Sequence, residues 1–183
     1  MATIALPLGK ERGTFRTCTA TGLRVDVAAQ RLIIANAVAA VVFLLVGGIM
    51  ALLISLTRWQ AIHLLSGPWF YRTLTAHGFD MLVAWIVFFE VAGLYFGSAI
   101  MLNARLIGPK LAWAGFGLML VGALMVNVIV LLGKADVMFT AYVPLKAHPA
   151  FYLGIVLFAV GLILALVVFF ATLVMAKVER RYE

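Results

Sequence analysis

Four long stretches of the sequence contain almost no charged residue, and they limit the possible folds more than any other feature. Residues 33–56, 111–133 and 150–176 are uncharged, and residues 81–102 carry only Glu90. Each stretch exceeds the roughly 20 residues that cross about 30 Å of hydrocarbon at 1.5 Å per residue. Backbone groups in lipid must be paired internally, and these stretches lack the alternation of barrel strands. The sequence therefore predicts an all-α membrane protein with four transmembrane helices.

The composition excludes several other classes of protein. The chain is 66% hydrophobic and 11% charged, whereas soluble domains are near half apolar and about a quarter charged. The formal net charge is +7, but the basic residues lie outside the apolar stretches and form no dense cluster with aromatic residues. This pattern indicates membrane topology and no nucleic-acid partner. The single cysteine, Cys18, excludes an internal disulfide and a cysteine-based metal or iron–sulfur site.

The charges that flank the apolar stretches predict the orientation in the membrane. With the N-terminus inside, ten Lys and Arg residues fall on inner segments and four in outer loops, which favours an N-in and C-in topology. The first thirty residues do not resemble a cleavable signal, because their charges are spread and a full-length span follows. We therefore predict a cytoplasmic segment over residues 1–32, a transmembrane domain over residues 33–178 and a cytoplasmic tail over residues 179–183. The four helices of the transmembrane domain are predicted at about 33–57, 75–102, 110–133 and 149–177.

His77 is the most informative of three histidines near the predicted outer face. It lies about one turn inside the second predicted helix, so its imidazole needs a partner. Haem iron or another metal is one such partner, and water or a loop carbonyl at the headgroup level is another. Asp80 is predicted to hydrogen-bond the second imidazole nitrogen and fix the ring orientation. The apolar stripe on the same helix face suits a flat cofactor or ordinary helix packing equally well, and it comprises Met81, Ala84, Phe88, Val91 and Tyr95.

The other two histidines allow simpler interpretations. His148 opens the fourth helix just before Pro149, on the same side of the membrane as His77. Two histidines from two helices at one depth would be able to clamp one haem, but the sequence alone does not bring their faces together. His63 lies in loop sequence and is predicted to be solvated.

Glu90 is the one charged residue inside an apolar stretch. It lies roughly 20 Å deeper along the helix than His77 and points some 140° away, so the two residues are not expected to share a site. A carboxylate inside a membrane is costly and is by default a functional hypothesis. Proton transfer and a polar contact to a neighbouring helix both explain Glu90, and Asn127 in the third helix is the candidate partner.

Two segments together resemble subunit I of the haem–copper oxygen reductases, with the B family (the ba-type cytochrome c oxidases) as the best match. They read TLTAHGFDMLVAWIVFFEVAGLYFGSAIML and FTAYVPLKAHPAFYLG. The resemblance extends from about Arg31 to Arg181 and includes the order and spacing of helices one to four and the N-in topology. In that family the T-x-H-G motif supplies one axial histidine of the low-spin haem b, which implies this role for His77. The Y-x-P-L-K-x-H segment resembles the loop beside the haem edge, which implies a haem-edge contact for Tyr142 and no ligand role for His148.

The resemblance also implies what the chain lacks. In this family the second axial histidine, the three copper-binding histidines, the proximal histidine of the active-site haem and the cross-linked tyrosine all follow helix four. The chain is therefore interpreted as the N-terminal part of a split subunit I of a respiratory terminal oxidase in a bacterial or archaeal inner membrane. It would share haem b with a partner chain that alone binds copper and that completes oxygen reduction and proton pumping. Its expected partners are the remaining helices of subunit I, a subunit II with the electron-entry site, and the lipid bilayer.

Three alternatives remain open at this point. A four-helix membrane subunit without catalytic activity could serve assembly or electron transfer. A nitric oxide reductase component would share this part of the fold. A proton- or ion-coupled transport subunit would explain Glu90, but it would explain neither His77 nor the segment from Tyr142 to His148.

Overall fold

A computed structural model of the protein describes residues 15–135 and 146–179, which form four long helices preceded by a short β-hairpin. All four helices are long and apolar enough to cross a membrane, which confirms the predicted fold class. Tyr142 lies outside the described residues. The elements are β1 (Phe15–Thr17), β2 (Arg24–Asp26), α1 (Val27–Arg58), α2 (Gly67–Met101), α3 (Pro109–Leu131) and α4 (Pro149–Glu179).

Two helices begin well before their apolar stretches. The prediction placed the start of the first helix near residue 33, but α1 begins at Val27, directly after the capping residue Asp26. The second was expected from residue 75, but α2 begins at Gly67, with a proline in its first turn. Proline suits this position because the first turn has no use for its missing N–H. The prediction followed the charge-free stretches, whereas both helices include polar and charged residues before those stretches.

The predicted N-terminal segment contains structure that the sequence analysis did not anticipate. The antiparallel strands β1 and β2 pair with Phe15 opposite Asp26. The Asp26 carboxylate is buried and accepts hydrogen bonds from the backbone N–H of Ala28 at 3.2 Å and of Leu106 at 2.8 Å. The hairpin is thereby joined to the start of α1 and to the loop between α2 and α3.

α2 is interrupted twice by short π-helical segments, at Asp80–Ala84 and Phe96–Met101. Wider turns of this kind change the direction in which later side chains point, and they occur often at functional sites. The first segment begins three residues after His77. The side chains before and after each segment are therefore related by a different rotation from that of a regular α-helix.

Aromatic side chains fill the centre of the bundle. Phe88 of α2 stacks on Phe43 of α1 with ring centroids 5.7 Å apart, and it meets Phe116 of α3 and Phe158 of α4 edge to face. The predicted stripe along α2 is mostly part of this core, because Ala84, Phe88, Val91 and Tyr95 are buried. Of the two interpretations of the stripe, helix packing is therefore the one that the structure supports.

α3 and α4 approach so closely that glycine is required at their contact. A Cβ atom built on Gly122 would lie 2.5 Å from the carbonyl oxygen of Gly154, and one built on Gly161 would lie 2.5 Å from that of Gly115. Small residues at such positions let two backbones come together in lipid, where packing drives helix association. Large apolar side chains on the opposite faces, such as Val174 at 61% exposure, point outward as lipid-facing residues do.

Candidate functional site

His77 is held by the backbone of the neighbouring helix α1. Its Nδ1 atom lies 2.8 Å from the carbonyl oxygen of Gly47, and the side chain is half-buried. Because a carbonyl oxygen can only accept, Nδ1 carries the hydrogen and donates it. In the neutral imidazole this leaves Nε2 with a free lone pair, which is the arrangement found in metal-ligating histidines. The prediction that Asp80 fixes the ring was wrong, since the backbone of α1 takes that role.

Gly47 is close to α2 because it has no side chain. A Cβ atom at this position would lie 2.7 Å from Sδ of Met81 and 3.2 Å from Cβ of Asp80. The adjacent Gly48 has nothing within 4 Å of the corresponding position. The lack of a side chain at Gly47 therefore brings its carbonyl oxygen within hydrogen-bonding distance of His77.

Asp80 pairs with Asn127 across the bundle. The Asp80 side chain is fully buried, and its Oδ1 accepts a hydrogen bond of 2.7 Å from Nδ2 of Asn127. Nδ2 of Asn127 also donates to the carbonyl oxygen of Ala123 at 3.1 Å. The predicted pairing of Asn127 with Glu90 was therefore wrong. Oδ2 of Asp80 and Oδ1 of Asn127 are buried and have no hydrogen-bond partner among the described residues.

Glu90 lies on the outside of the bundle. Its side chain is exposed beside Phe89, which is 59% exposed. It makes no hydrogen bond or ion pair with another residue in the described part of the chain. The structure therefore does not bring Glu90 together with His77, Asp80 or Asn127.

The two remaining histidines have local roles. His63 is exposed in the loop after α1, with a positive φ of 47°. His148 is exposed at the start of α4, where its Nδ1 accepts a hydrogen bond of 3.2 Å from the backbone N–H of Ala150. Within residues 15–135 and 146–179 no group of three or more His, Cys, Asp or Glu side chains is arranged to hold a metal ion. His77 differs from both, because its Nδ1 is held by the backbone of another helix.

An apolar groove of about 530 Å³ runs between α1 and α3, with α2 at its floor. Among the residues that the structure describes, Asp80 and Asn127 are the only polar ones that line it. This groove could not be predicted from the sequence, because its walls come from helices that are far apart along the chain. The lining residues are Ala35, Val38, Ala39, Val42, Phe43, Val46, Met50, Asp80, Phe116, Leu120, Leu124, Asn127 and Leu131.

Comparisons with known proteins agree with this architecture. Residues 31–182 match the model of a family described as cytochrome c and quinol oxidase polypeptide I. The chain is also similar to a solved heme-copper terminal oxidase, with 26% sequence identity and a TM-score of 0.74. That match covers 85% of this chain and 27% of the oxidase chain, so this chain spans about a quarter of its length. No curated protein sequence matches the chain.

Proposed function

Because the chain belongs to the cytochrome c and quinol oxidase polypeptide I family, we propose that it is the N-terminal part of a split oxidase subunit I. In this proposal His77 is one axial ligand of a low-spin haem b. The observation that carries the assignment is the hydrogen bond from Nδ1 of His77 to the carbonyl oxygen of Gly47. Such a bond from the non-ligating nitrogen fixes the tautomer and raises the basicity of the ligating nitrogen.

The packing of the bundle limits where the haem would lie. The Phe88 cluster fills the space between the helices, so a flat macrocycle would not fit in the interior. His77, by contrast, is half-buried at the edge of the bundle. The haem would therefore sit at an outer surface, where a second chain would complete its pocket and supply the other axial ligand. When bound, the haem would accept and release single electrons, while this chain would hold the iron and exclude water from one side.

The finer features of the proposal follow from the resemblance and from the length of the match. The related oxidase chain is almost four times as long as the matched region, so the copper site and the oxygen-reducing centre would belong to a partner chain. We assign the chain to the B family on the T-x-H-G motif around His77 and the Tyr142–His148 segment. A subunit II with the electron-entry site and a bacterial or archaeal inner membrane complete the proposal.

Glu90 stays a prediction as a proton-transfer residue. Its exposed position on the outer surface of the bundle would place any proton path through it between this chain and a neighbour. A transport path enclosed by these four helices would need a polar lining in their interior, but an aromatic cluster occupies the centre of the bundle. The geometry therefore favours the oxidase proposal over ion-coupled transport.

Reduced-minus-oxidised visible spectra of the complex purified in mild detergent test this proposal. We expect a low-spin b-type signal in wild type and in His148→Ala, and loss of that signal in His77→Ala. The matched control removes a histidine that only caps a helix. Wild-type complex without haem and without a copurifying multi-helix chain would refute the proposal and leave a four-helix subunit without catalytic activity.

A further inference from the structure

The groove between α1 and α3 has the length of a helix–helix contact. It runs from Ala35 to Met50 on α1 and from Phe116 to Leu131 on α3. Each wall therefore extends about 22 Å at 1.5 Å per residue, roughly two-thirds of the hydrocarbon thickness. A helix about 10–12 Å across is too large for a space of about 530 Å³. It would lie along the rims and place one ridge of side chains between them, as packed helices do.

The floor of the groove requires hydrogen-bond donors. Asp80 is 0% exposed, and its Oδ2 has no partner among the residues that the structure describes. Oδ1 of Asn127 is also buried and has no hydrogen-bond partner among the described residues. The amide nitrogen of Asn127 cannot satisfy either oxygen, because it already donates to Oδ1 of Asp80 and to Ala123. Two buried acceptors without donors are strongly unfavourable inside a membrane.

These requirements identify the occupant by its chemistry. A lipid acyl chain would fill the apolar walls but offers no donor to the two oxygens. A hydroxyl group has one hydrogen, whereas the side chains of Arg, Lys, Asn and Gln each present at least two N–H groups. The related oxidase chain extends far beyond the region that this chain matches, so further helices are expected to pack against this bundle.

We propose that the groove between α1 and α3 is the docking surface for one transmembrane helix of the partner chain, and that this helix carries Arg, Lys, Asn or Gln at the depth of Asp80 and Asn127. The inference rests on the proposed function, because it takes the partner to be the chain that completes subunit I. It adds the face on which that partner docks and a residue by which the docking helix is recognised.

Photo-crosslinking in the intact complex tests this assignment. A photoreactive phenylalanine derivative is placed at Val38 on the α1 rim or at Leu124 on the α3 rim, which are 57% and 50% exposed. The control position is Ile163 on α4, which is 58% exposed and does not line the groove. After irradiation in native membranes, crosslinked peptides are identified by mass spectrometry. We expect both rim positions to crosslink to the same transmembrane segment of the copurifying multi-helix chain, and we expect that segment to contain Arg, Lys, Asn or Gln. The control position Ile163 should not crosslink to that segment.

A second experiment measures the docking strength without relying on crosslinks. Leu124→Trp fills the groove from its rim, and Asp80→Leu with Asn127→Leu removes both acceptors. We expect each variant to lower the ratio of recovered partner to this chain by about threefold to thirtyfold, the range typical for loss of one interhelical contact in a membrane. Ile163→Trp is the control and should leave the ratio unchanged. Leu124→Trp remains informative if the double variant fails to fold, because it leaves the polar pair intact.

Several results would overturn the inference. Rim crosslinks only to lipid, to a second copy of this chain, or to a helix without Arg, Lys, Asn or Gln would each contradict it. So would a partner ratio that Leu124→Trp does not change. If a haem-containing partner copurifies but its crosslinks avoid both rims, the inference fails and the proposed function stands. If neither haem nor a multi-helix partner copurifies, the proposed function is refuted, and the inference that rests on it is refuted with it.

Discussion

Replacing Gly122 with alanine should separate α3 from α4. The added Cβ would lie 2.5 Å from the carbonyl oxygen of Gly154 and 2.7 Å from the backbone nitrogen of Phe158. Both atoms belong to the backbone of α4, so no side-chain rotation relieves the contact. Overpacking of this kind costs about 1–3 kcal/mol, and contact with rigid backbone favours the upper end of that range. Alanine offsets about 0.5–1 kcal/mol of this cost, because it loses less backbone entropy than glycine when the helix forms. We therefore expect a net loss of about 2 kcal/mol.

Gly117→Ala is the matched control on the same helix. Nothing lies within 4 Å of the position that its Cβ would take, so this variant should gain up to about 1 kcal/mol from backbone entropy alone. The two alanine variants should then differ by about 3 kcal/mol, which is more than a hundredfold in the unfolding equilibrium. Because both changes add one methyl group to α3, composition and propensity cancel in the comparison.

Titration with a denaturing detergent in mixed micelles, followed by tryptophan fluorescence, would measure the difference. Trp113 lies on α3 and is one of the four tryptophans that contribute to the signal. The midpoint should fall for Gly122→Ala and stay the same or rise for Gly117→Ala. Equal midpoints for the two variants would show that the α3–α4 contact is looser than described, and the reasoning from backbone proximity would then be wrong.

Three further outcomes follow from features outside that contact. In the proposed haem complex, Gly47→Ala should weaken or shift the haem spectrum, because a Cβ there would crowd Met81 and Asp80 beside the carbonyl that orients the histidine, whereas Gly48→Ala should leave the spectrum unchanged. Asp26→Ala should lower the free energy of unfolding by about 1–3 kcal/mol, since it leaves two backbone N–H groups unpaired, and limited proteolysis of the α2–α3 loop should become faster. Hydrogen bonds lower the pKa of the Cys18 thiol, and the side chain of Thr21 has the largest effect. Thr21→Val should therefore raise that pKa and slow the alkylation of Cys18 near neutral pH. An unchanged alkylation rate would contradict this cause.

The four spans and the position of His77 could be predicted from the sequence because each depends on local composition. Hydrocarbon admits only long apolar helices, and a histidine one turn inside such a helix stands out. The bond that orients His77 could not be predicted. Its acceptor is a backbone carbonyl, which every residue possesses, and the relevant one lies thirty residues earlier in the chain.

The errors at Asp80 and Asn127 have a shared physical cause. The prediction paired Asp80 with His77 because the two are three residues apart, and it offered Asn127 of the third helix as a partner for Glu90. The structure instead joins Asp80 to Asn127, at the start of the π-helical segment Asp80–Ala84. Which helix packs beside which is a tertiary property, and the glycines of the apolar stretches indicate close approach without naming the partner helix.

The two hydrogen bonds that Asp26 accepts depend differently on the topology with which the chain is inserted into the membrane. The bond to Ala28 is local and can form as soon as α1 exists, whereas the bond to Leu106 spans eighty residues. At roughly 5–20 residues per second, a ribosome needs about 4–16 s to synthesise that interval, which contains the whole of α2. If α2 fails to cross the bilayer, Leu106 emerges on the opposite side from Asp26 and the second bond never forms. The bond to Leu106 can therefore form only in molecules in which α2 has crossed the bilayer.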